Sequence, residues 1–355
     1  MSELRFGIIG CGDVVQQIHL PAWRLAGGAT LVAVCDSSPE ALQRVTLSYP
    51  RVRQYKDAQT FLDDSGDLDF VVLATPGSTH LEIGRKVLER RKHLLCEKPL
   101  ALDAESARQL YRIAEEQGVV LMPIHNYRYR DTVARALAYA RRGELGDIAY
   151  VGLRFRTGSL FDEPGPWRRR EAQERVLLFD LGFHFIDLAL LFAGPVRELH
   201  FVHCMSDSMG LQYVAFGTFH DRGTVGFFEL MRDASSCSTQ LEIFGEKGAL
   251  VLDFFPDGFR RLPIRDTPVH RAVSEIRRGL DYIKATLAEQ LLRRPPKRAW
   301  GHAVLFSQFV EALRGQRPVP VPKQEVLQVI DLLDRVAKQA YGRAYDDSSV
   351  SKVVS

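Results

Sequence analysis

Residues 6–15 read FGIIGCGDVV, and the fold turns on how this stretch is read. An apolar run ends in Gly10-Cys11-Gly12, and a helix-compatible segment follows at once. A strand, a tight glycine turn and a helix N-terminus make a site for a pyrophosphate. The glycines let the backbone approach, and the free N–H groups and helix dipole attract negative charge. Gly10, Gly12, Asp13 and Val14 are the expected contacts. The third glycine of the usual spacing is replaced by Val15, and a lone GxGxxV is a weak signal. Its setting strengthens it, because an apolar strand precedes the loop and an acidic residue closes the next strand.

That residue is Asp36, at the end of LVAVCD, followed by Ser37-Ser38. A carboxylate there can accept both ribose hydroxyls of an adenosine half and would repel a 2′-phosphate. This favours NAD over NADP, and no arginine follows to reverse the preference. Asp36 also suits the N-cap of a helix begun by Ser37-Ser38-Pro39-Glu40, so two roles stay open. Cys11, Cys35 and Cys96 end presumed strands and read best as small packing residues.

Outward from the loop, apolar runs at 5–9, 31–35, 70–74, 93–96 and 119–124 alternate with helical stretches at 16–25, 80–89 and 104–116. The runs are continuous, as in parallel strands covered on both faces. This predicts an α/β fold: a doubly wound parallel Rossmann sheet over residues 1–123. Residues 124–345 read differently. A helix near 132–142 and the turn GELGD lead into strands at 148–157, 196–204, 213–220, 223–231, 239–245 and 249–254. That is an α+β domain with a mostly antiparallel sheet. Apolar residues Val273, Ile276, Leu280, Ile283, Leu287 and Leu291, three or four apart, predict an amphipathic helix packed on that sheet, with a basic outer face. Helices near 303–313 and 324–341 follow, and residues 346–355 read as a loose tail.

Composition excludes several classes. The chain has 355 residues, 47 basic against 44 acidic, too balanced to mark a nucleic-acid binder. Five cysteines without a CxxC pair suggest neither a zinc ribbon nor a disulfide framework, and point to a reducing cytoplasm. No apolar segment reaches the roughly 20 residues that span a bilayer. The start MSELRFGIIG does not read as a signal peptide. His200 and His203 lie three apart on a presumed strand, hence on opposite faces, so no metal site is expected there or elsewhere.

Two further strand exits carry polar residues. In ATPGSTH, Thr75, Pro76, Ser78 and His80 can lie along a dinucleotide, although Ser78 or Thr79 could instead cap a helix. In HLLCEKPLAL, residues 93–102, a buried strand delivers Glu97 and Lys98 to the same edge. A lysine there can hydrogen-bond a substrate hydroxyl and stabilise charge on its oxygen. Pro99 would fix the turn, with a cis bond possible. On residue pattern alone, a plain strand exit remains open.

Together GIIGCG, VAVCD, ATPGSTH, CEKPLA, HNYRY, GELGDI, LFDLGFHFIDL, EIFGEKGAL and GQRPVPV resemble, in order, the glucose–fructose oxidoreductase / inositol dehydrogenase / MocA family. The resemblance implies a Rossmann domain followed by a domain with a large open sheet through which members form homo-dimers or homo-tetramers. It also implies a catalytic lysine, Lys98, working with Asp180 and His184 of D-x-x-x-H. If that segment is helical, positions i and i+4 share a face. The resemblance places Asn126, Trp167 and Arg168 beside the cofactor and Arg128 with the substrate; for Glu97 two roles stay open, orienting Lys98 or touching the cofactor ribose. It implies an NAD(P)-dependent dehydrogenase acting on a secondary alcohol or ketone of a sugar, cyclitol or sugar nucleotide. Members that oxidise, eliminate and reduce again leave a redox-neutral alternative, and a non-enzymatic NAD-binding sensor is another. Two departures stand out. The charged REAQERVLLFD replaces a glycine cluster, and residues 255–300 are longer and more basic than in simple members.

Overall fold

In the computed structural model, residues 3–158, 176–207, 210–232, 234–254, 257–262, 267–269, 272–273, 275–276, 279–280, 283 and 297–347 are described. The apolar runs of the first third become β1 (Leu4–Ile9), β2 (Ala29–Cys35), β4 (Phe70–Leu73), β5 (His93–Cys96) and β6 (Leu121–Pro123). A sixth strand, β3 (Arg53–Tyr55), has only three residues and no apolar run to announce it. The sheet order is β3-β2-β1-β4-β5-β6, with every pair parallel. The order reverses between β1 and β4. Ligands bind in such sheets outside the strand ends at that reversal.

The helices between the strands start where the sequence offers caps. Ser38 caps α2 (Pro39–Ser48), Asp57 caps α3 (Ala58–Asp63) and Asp103 caps α5 (Ala104–Gln117), each side chain accepting a backbone N–H. Each cap contributes about 1 kcal/mol. The first helix is irregular: a π-helical turn, Val15–His19, runs into α1 (Leu20–Ala26). Val15, standing where a third glycine would allow close packing, is fully buried and begins the π turn. A 3-10 turn, Gly77–Thr79, leads into α4 (His80–Glu89).

After a 3-10 turn, Asn126–Tyr129, come α6 (Asp131–Arg141) and β7 (Ile148–Arg156). A π-helical segment, Val176–Gly182, continues as α7 (Phe183–Ala193). Then follow β8 (Val196–Asp207), β9 (Gly210–His220), β10 (Val225–Met231), β11 (Ser238–Gly245), β12 (Ala249–Phe254) and β13 (Gly258–Leu262). Their sheet runs β13-β12-β11-β7-β10-β9-β8, antiparallel except for the β7–β10 pair. The burial of β10 alternates residue by residue, so one sheet face is covered and the other open. Phe201, Met205, Phe219, Val225, Phe227 and Phe244 of this sheet are all exposed.

The last two helices are α8 (Lys297–Leu313) and α9 (Lys323–Asp347). The chain divides into two units, Met1–Tyr129 with Pro295–Ile330, and Arg130–Arg294 with Asp331–Ser355. The sequence reading sets a single boundary at 123. In the structure α8 joins the first unit, where Phe306 stacks on Trp23 at 4.4 Å and Phe309 meets Phe70 edge-on. Each fully buried ring of this kind contributes about 1.5–3 kcal/mol. Of the expected amphipathic helix, the described positions Val273, Ile276, Leu280 and Ile283 are all exposed, so their stripe is not packed on a sheet. Among the described residues, no helix is long and apolar enough to cross a membrane.

Candidate active site

In the first unit the carboxyl ends of β1, β2, β4 and β5 gather the expected groups. Gly10 has φ +91°, and a Cβ there would lie 2.4 Å from the Ala74 carbonyl oxygen, so no other residue fits. Gly12 differs. A Cβ there would meet no protein atom within 4 Å, so packing does not require glycine. The space before it is open, so a ligand's pyrophosphate would find room for close approach. Asp13 is exposed beside Arg44, and Val14 is half-buried.

Asp36 does not cap α2; Ser38 does, accepting from the Ala41 N–H at 3.2 Å. The Asp36 carboxylate instead joins two loops, accepting the Cys11 N–H at 2.6 Å and the Ser38 N–H at 2.8 Å. It thereby fixes the glycine turn against the end of β2, while Ser37 faces solvent. Burial, followed by the charge of Asp36, raises the thiols of Cys11 and Cys35, the latter to about 12. Burial also raises Cys96. All three stay protonated at neutral pH and serve packing.

At the β4 exit the Thr75 and Thr79 hydroxyls meet at 2.7 Å, and the Thr79 hydroxyl donates to the Pro76 carbonyl. Thr79 therefore makes no side-chain cap on α4. His80 is fully buried. Its Nδ1 lies 2.8 Å from the Pro99 carbonyl oxygen and its Nε2 2.8 Å from that of Thr75. It braces the β4 and β5 exits against each other, a role the sequence reading, which places it on the cofactor, does not contain.

The Lys98–Pro99 bond is cis. Lys98 is half-buried and Glu97 buried. Glu97 Oε1 lies 2.6 Å from His19 Nε2, and Oε2 accepts the Lys98 N–H at 3.0 Å. Burial works against charge on Glu97. The hydrogen bond from His19 and the charges of His19, His302 and Lys98 outweigh it, and hold the carboxyl at about 2. His19 and His302, from the π turn before α1 and from α8, escaped sequence reasoning because they stand far apart in the chain with no local motif.

Asn126 and Arg128 are buried. The Arg128 guanidinium pairs with Glu325 of α9, a partner that the substrate role implied by the resemblance does not include. Trp167 and Arg168 lie outside the described residues.

In the second unit Asp180 sits in the π-helical segment and His184 in the first turn of α7, both half-buried. The four-residue spacing therefore straddles a π-to-α junction and is not carried by one regular helix. π turns recur at functional sites. A Cβ on Gly182, at the junction, would lie 2.1 Å from Leu230 Cδ2 and 2.9 Å from the Leu177 carbonyl oxygen. Glycine is what lets this segment press on β10. Nine of the eleven residues of α7 are buried; only His184 and Leu191 are not.

Of the other histidines, His200 and His203 depart from expectation. A bulge between His200 and Val202 interrupts the strand alternation, with Phe201 at φ 25°, and both histidines are exposed. His200 pairs with Glu198, and the His203 ring packs on Tyr213.

Comparison with known proteins bears on both units. A family profile described as an oxidoreductase family with NAD-binding Rossmann fold (GFO_IDH_MocA) matches residues 4–125, and the profile of the GFO/IDH/MocA C-terminal domain matches residues 133–251. The chain is 31% identical over 200 residues to D-apiose dehydrogenase of Rhizobium rhizogenes, covering 56% of either chain. It is 27% identical over 199 residues to scyllo-inositol 2-dehydrogenase (NADP(+)) of Bacillus subtilis, covering 55% of this chain and 53% of that one. The chain thus spans about half the length of these curated relatives. Among solved structures, the WlbA dehydrogenase from Bordetella pertussis, in complex with NADH and UDP-GlcNAcA, superposes with a TM-score of 0.79 at 21% identity over 96% of both chains. At that identity the likeness is one of fold.

Proposed function

Because the chain belongs to the GFO/IDH/MocA oxidoreductase family, we propose that it is an NAD-dependent dehydrogenase. It acts on a secondary alcohol, or the matching ketone, of a sugar, cyclitol or sugar nucleotide. The observation that carries this reading is the Glu97–Lys98–Pro99 turn, held at the same sheet edge as Gly10, Gly12 and Asp36. Bound NAD would supply the hydride acceptor, and NADH the donor.

The residues present fit that cofactor. Gly10, Gly12, Asp13 and Val14 would take the pyrophosphate, and the Asp36 carboxylate the ribose hydroxyls. Thr75, Pro76, Ser78 and Asn126 would border the rest, with Glu97 and His80 behind them. Lys98 polarises the substrate oxygen as charge develops on it. His184 takes or returns the hydroxyl proton as general base or acid. Asp180 orients His184 or binds a neighbouring hydroxyl. Arg128 would contact the substrate; the roles expected of Trp167 and Arg168 fall on residues outside the described ones.

The relatives' names include an NADP enzyme, so the cofactor choice rests on Asp36. Its negative charge would meet a 2′-phosphate unfavourably. Thermal-shift titration with both dinucleotides tests this, with stabilisation by NAD at lower concentration expected; a preference for NADP refutes it. A panel of polyols, sugars and cyclitols, followed at 340 nm, tests the reaction class. NADH formation with at least one of them is expected. Bound nucleotide that turns substrate over without releasing NADH would point to redox-neutral chemistry instead.

The exposed apolar residues on the open sheet face fit a second copy of the chain, as a homo-dimer or homo-tetramer. Sedimentation of wild type against Phe227→Glu tests it, with a smaller species expected for the variant. Five free thiols, three of them buried, suit the cytoplasm.

A further inference from the structure

The buried cluster beside the Lys98 turn calls for a reason of its own. His19, Glu97 and His302 are all buried, and their ligand atoms lie within 4.8 Å of one another. They come from three separate elements: the π turn before α1, the tip of β5, and α8. Aromatic rings enclose the histidines. Phe306 meets His19 edge-on at 5.4 Å, and the His19 and His302 rings are 5.5 Å apart.

Two readings can be set aside on physical grounds. Stability alone is a poor reason, because a buried ion pair does no better than well-packed apolar side chains of the same volume. A metal is disfavoured by distance. Ligands about 2.0 Å from a tetrahedral ion stand roughly 3.3 Å apart. His19 Nε2 and Glu97 Oε1 lie at 2.6 Å, the separation of a hydrogen bond.

What the cluster does fix is the backbone of Lys98. One oxygen of Glu97 is held by His19, and the other accepts the Lys98 N–H. Pro99, the next residue, is held through its carbonyl by His80. The charged groups facing Glu97 are His19 and His302 from the helices and Lys98 from its own turn.

We propose that Glu97, clamped between His19 and His302, is a positioning residue that sets the approach of Lys98 to the substrate. The helix carrying His302 is thereby part of the catalytic apparatus without touching substrate. This rests on reading Lys98 as the substrate-polarising group, and the experiment separates the two.

Glu97→Gln, His19→Leu, His302→Leu and Lys98→Met are compared with wild type in kcat, KM and NAD affinity, using an alcohol substrate identified at 340 nm. Glu97→Gln keeps the shape but removes the charge. It is expected to lower kcat about 10- to 100-fold, the cost of a small misplacement, with NAD affinity within about twofold. His302→Leu should lower kcat by less, and His302→Gln should recover part of it. The deciding measurement is the double variant. If Glu97 acts through Lys98, adding Glu97→Gln to Lys98→Met lowers kcat no further.

Additive losses would overturn the proposal, as would wild-type kcat in Glu97→Gln beside an inactive Lys98→Met. Wild-type kcat in Lys98→Met would instead remove the underlying reading. Should Glu97→Gln fail to fold, His19→Leu, which removes the partner of Glu97 Oε1, carries the same cycle. A stoichiometric transition metal in the purified protein, lost with His302→Leu, would also overturn it.

Discussion

Around Lys98 the fixing contacts are polar. Glu97, His19 and His80 hold the turn through hydrogen bonds of 2.6–3.0 Å. Around His184 they are apolar: a helix buried along nine of its eleven residues, seated on β10 through a glycine. Hydrogen bonds set direction and tolerate little change of partner, whereas packing sets position and tolerates little change of volume. The two halves of the proposed chemistry should therefore fail under different substitutions.

The largest effects test the chemistry itself. Lys98→Met and His184→Ala should each lower kcat by on the order of 10²–10⁴-fold, the usual worth of a positioned acid–base group. NAD affinity, measured by fluorescence titration, should stay near wild type. Wild-type turnover in both would show that neither region reacts with substrate.

The next effect belongs to the packed region. Gly182→Ala places a Cβ against Leu230 and the Leu177 carbonyl. Overpacking of this kind costs about 1–3 kcal/mol, visible in a denaturant melt. Leu230→Ala relieves only the side-chain clash, so the double variant should recover part of the loss. A fully stable Gly182→Ala would show that α7 is not fixed by this contact.

A smaller change concerns the loop junction. Asp36→Ala removes a carboxylate that receives the Cys11 and Ser38 N–H groups. NAD affinity should fall about tenfold, the loss of one or two bonds to a charged group. The discrimination against NADP should weaken with it. An unchanged NAD to NADP ratio would take the cofactor choice away from Asp36.

The gentlest probe is acid. Glu97 is held at about 2, below its ordinary 4.5, so its contribution to stability is complete above pH 4.5 and fades as pH falls toward 2. Over that window the melting temperature of wild type should drop more steeply than that of Glu97→Gln. Parallel curves would show that the polar clamp does not add to folding stability.

How far the sequence announced these regions follows from the range of the forces involved. The parallel strands were legible because continuous apolar runs report two-sided burial, and Gly10 because its turn is local. Strand β3 was not, since three residues pairing at a sheet edge need no apolar run. The π turns at Val15–His19 and Val176–Gly182 are set by what the helices press against, so helical periodicity passed over them. The bulge at Phe201 upset the alternation argument for His200 and His203 in the same way. Glu97 was visible as an unexplained charge, but its partners were not. A contact between residues 19 and 302 has no local signature, and only the fold brings them together.

The return of α8 to the first unit carries a consequence for synthesis. The ribosome delivers the six parallel strands long before it delivers Phe306, Phe309 and His302. Until residues 297–313 emerge, Trp23 and Phe70 lack part of their apolar cover and Glu97 lacks one of its two histidines. The nascent dinucleotide domain must wait through residues 130–294 with an open wall, in the condition that draws chaperones to unfinished chains. Residues almost three hundred positions downstream, not the opening ones alone, complete the domain that the opening residues announce.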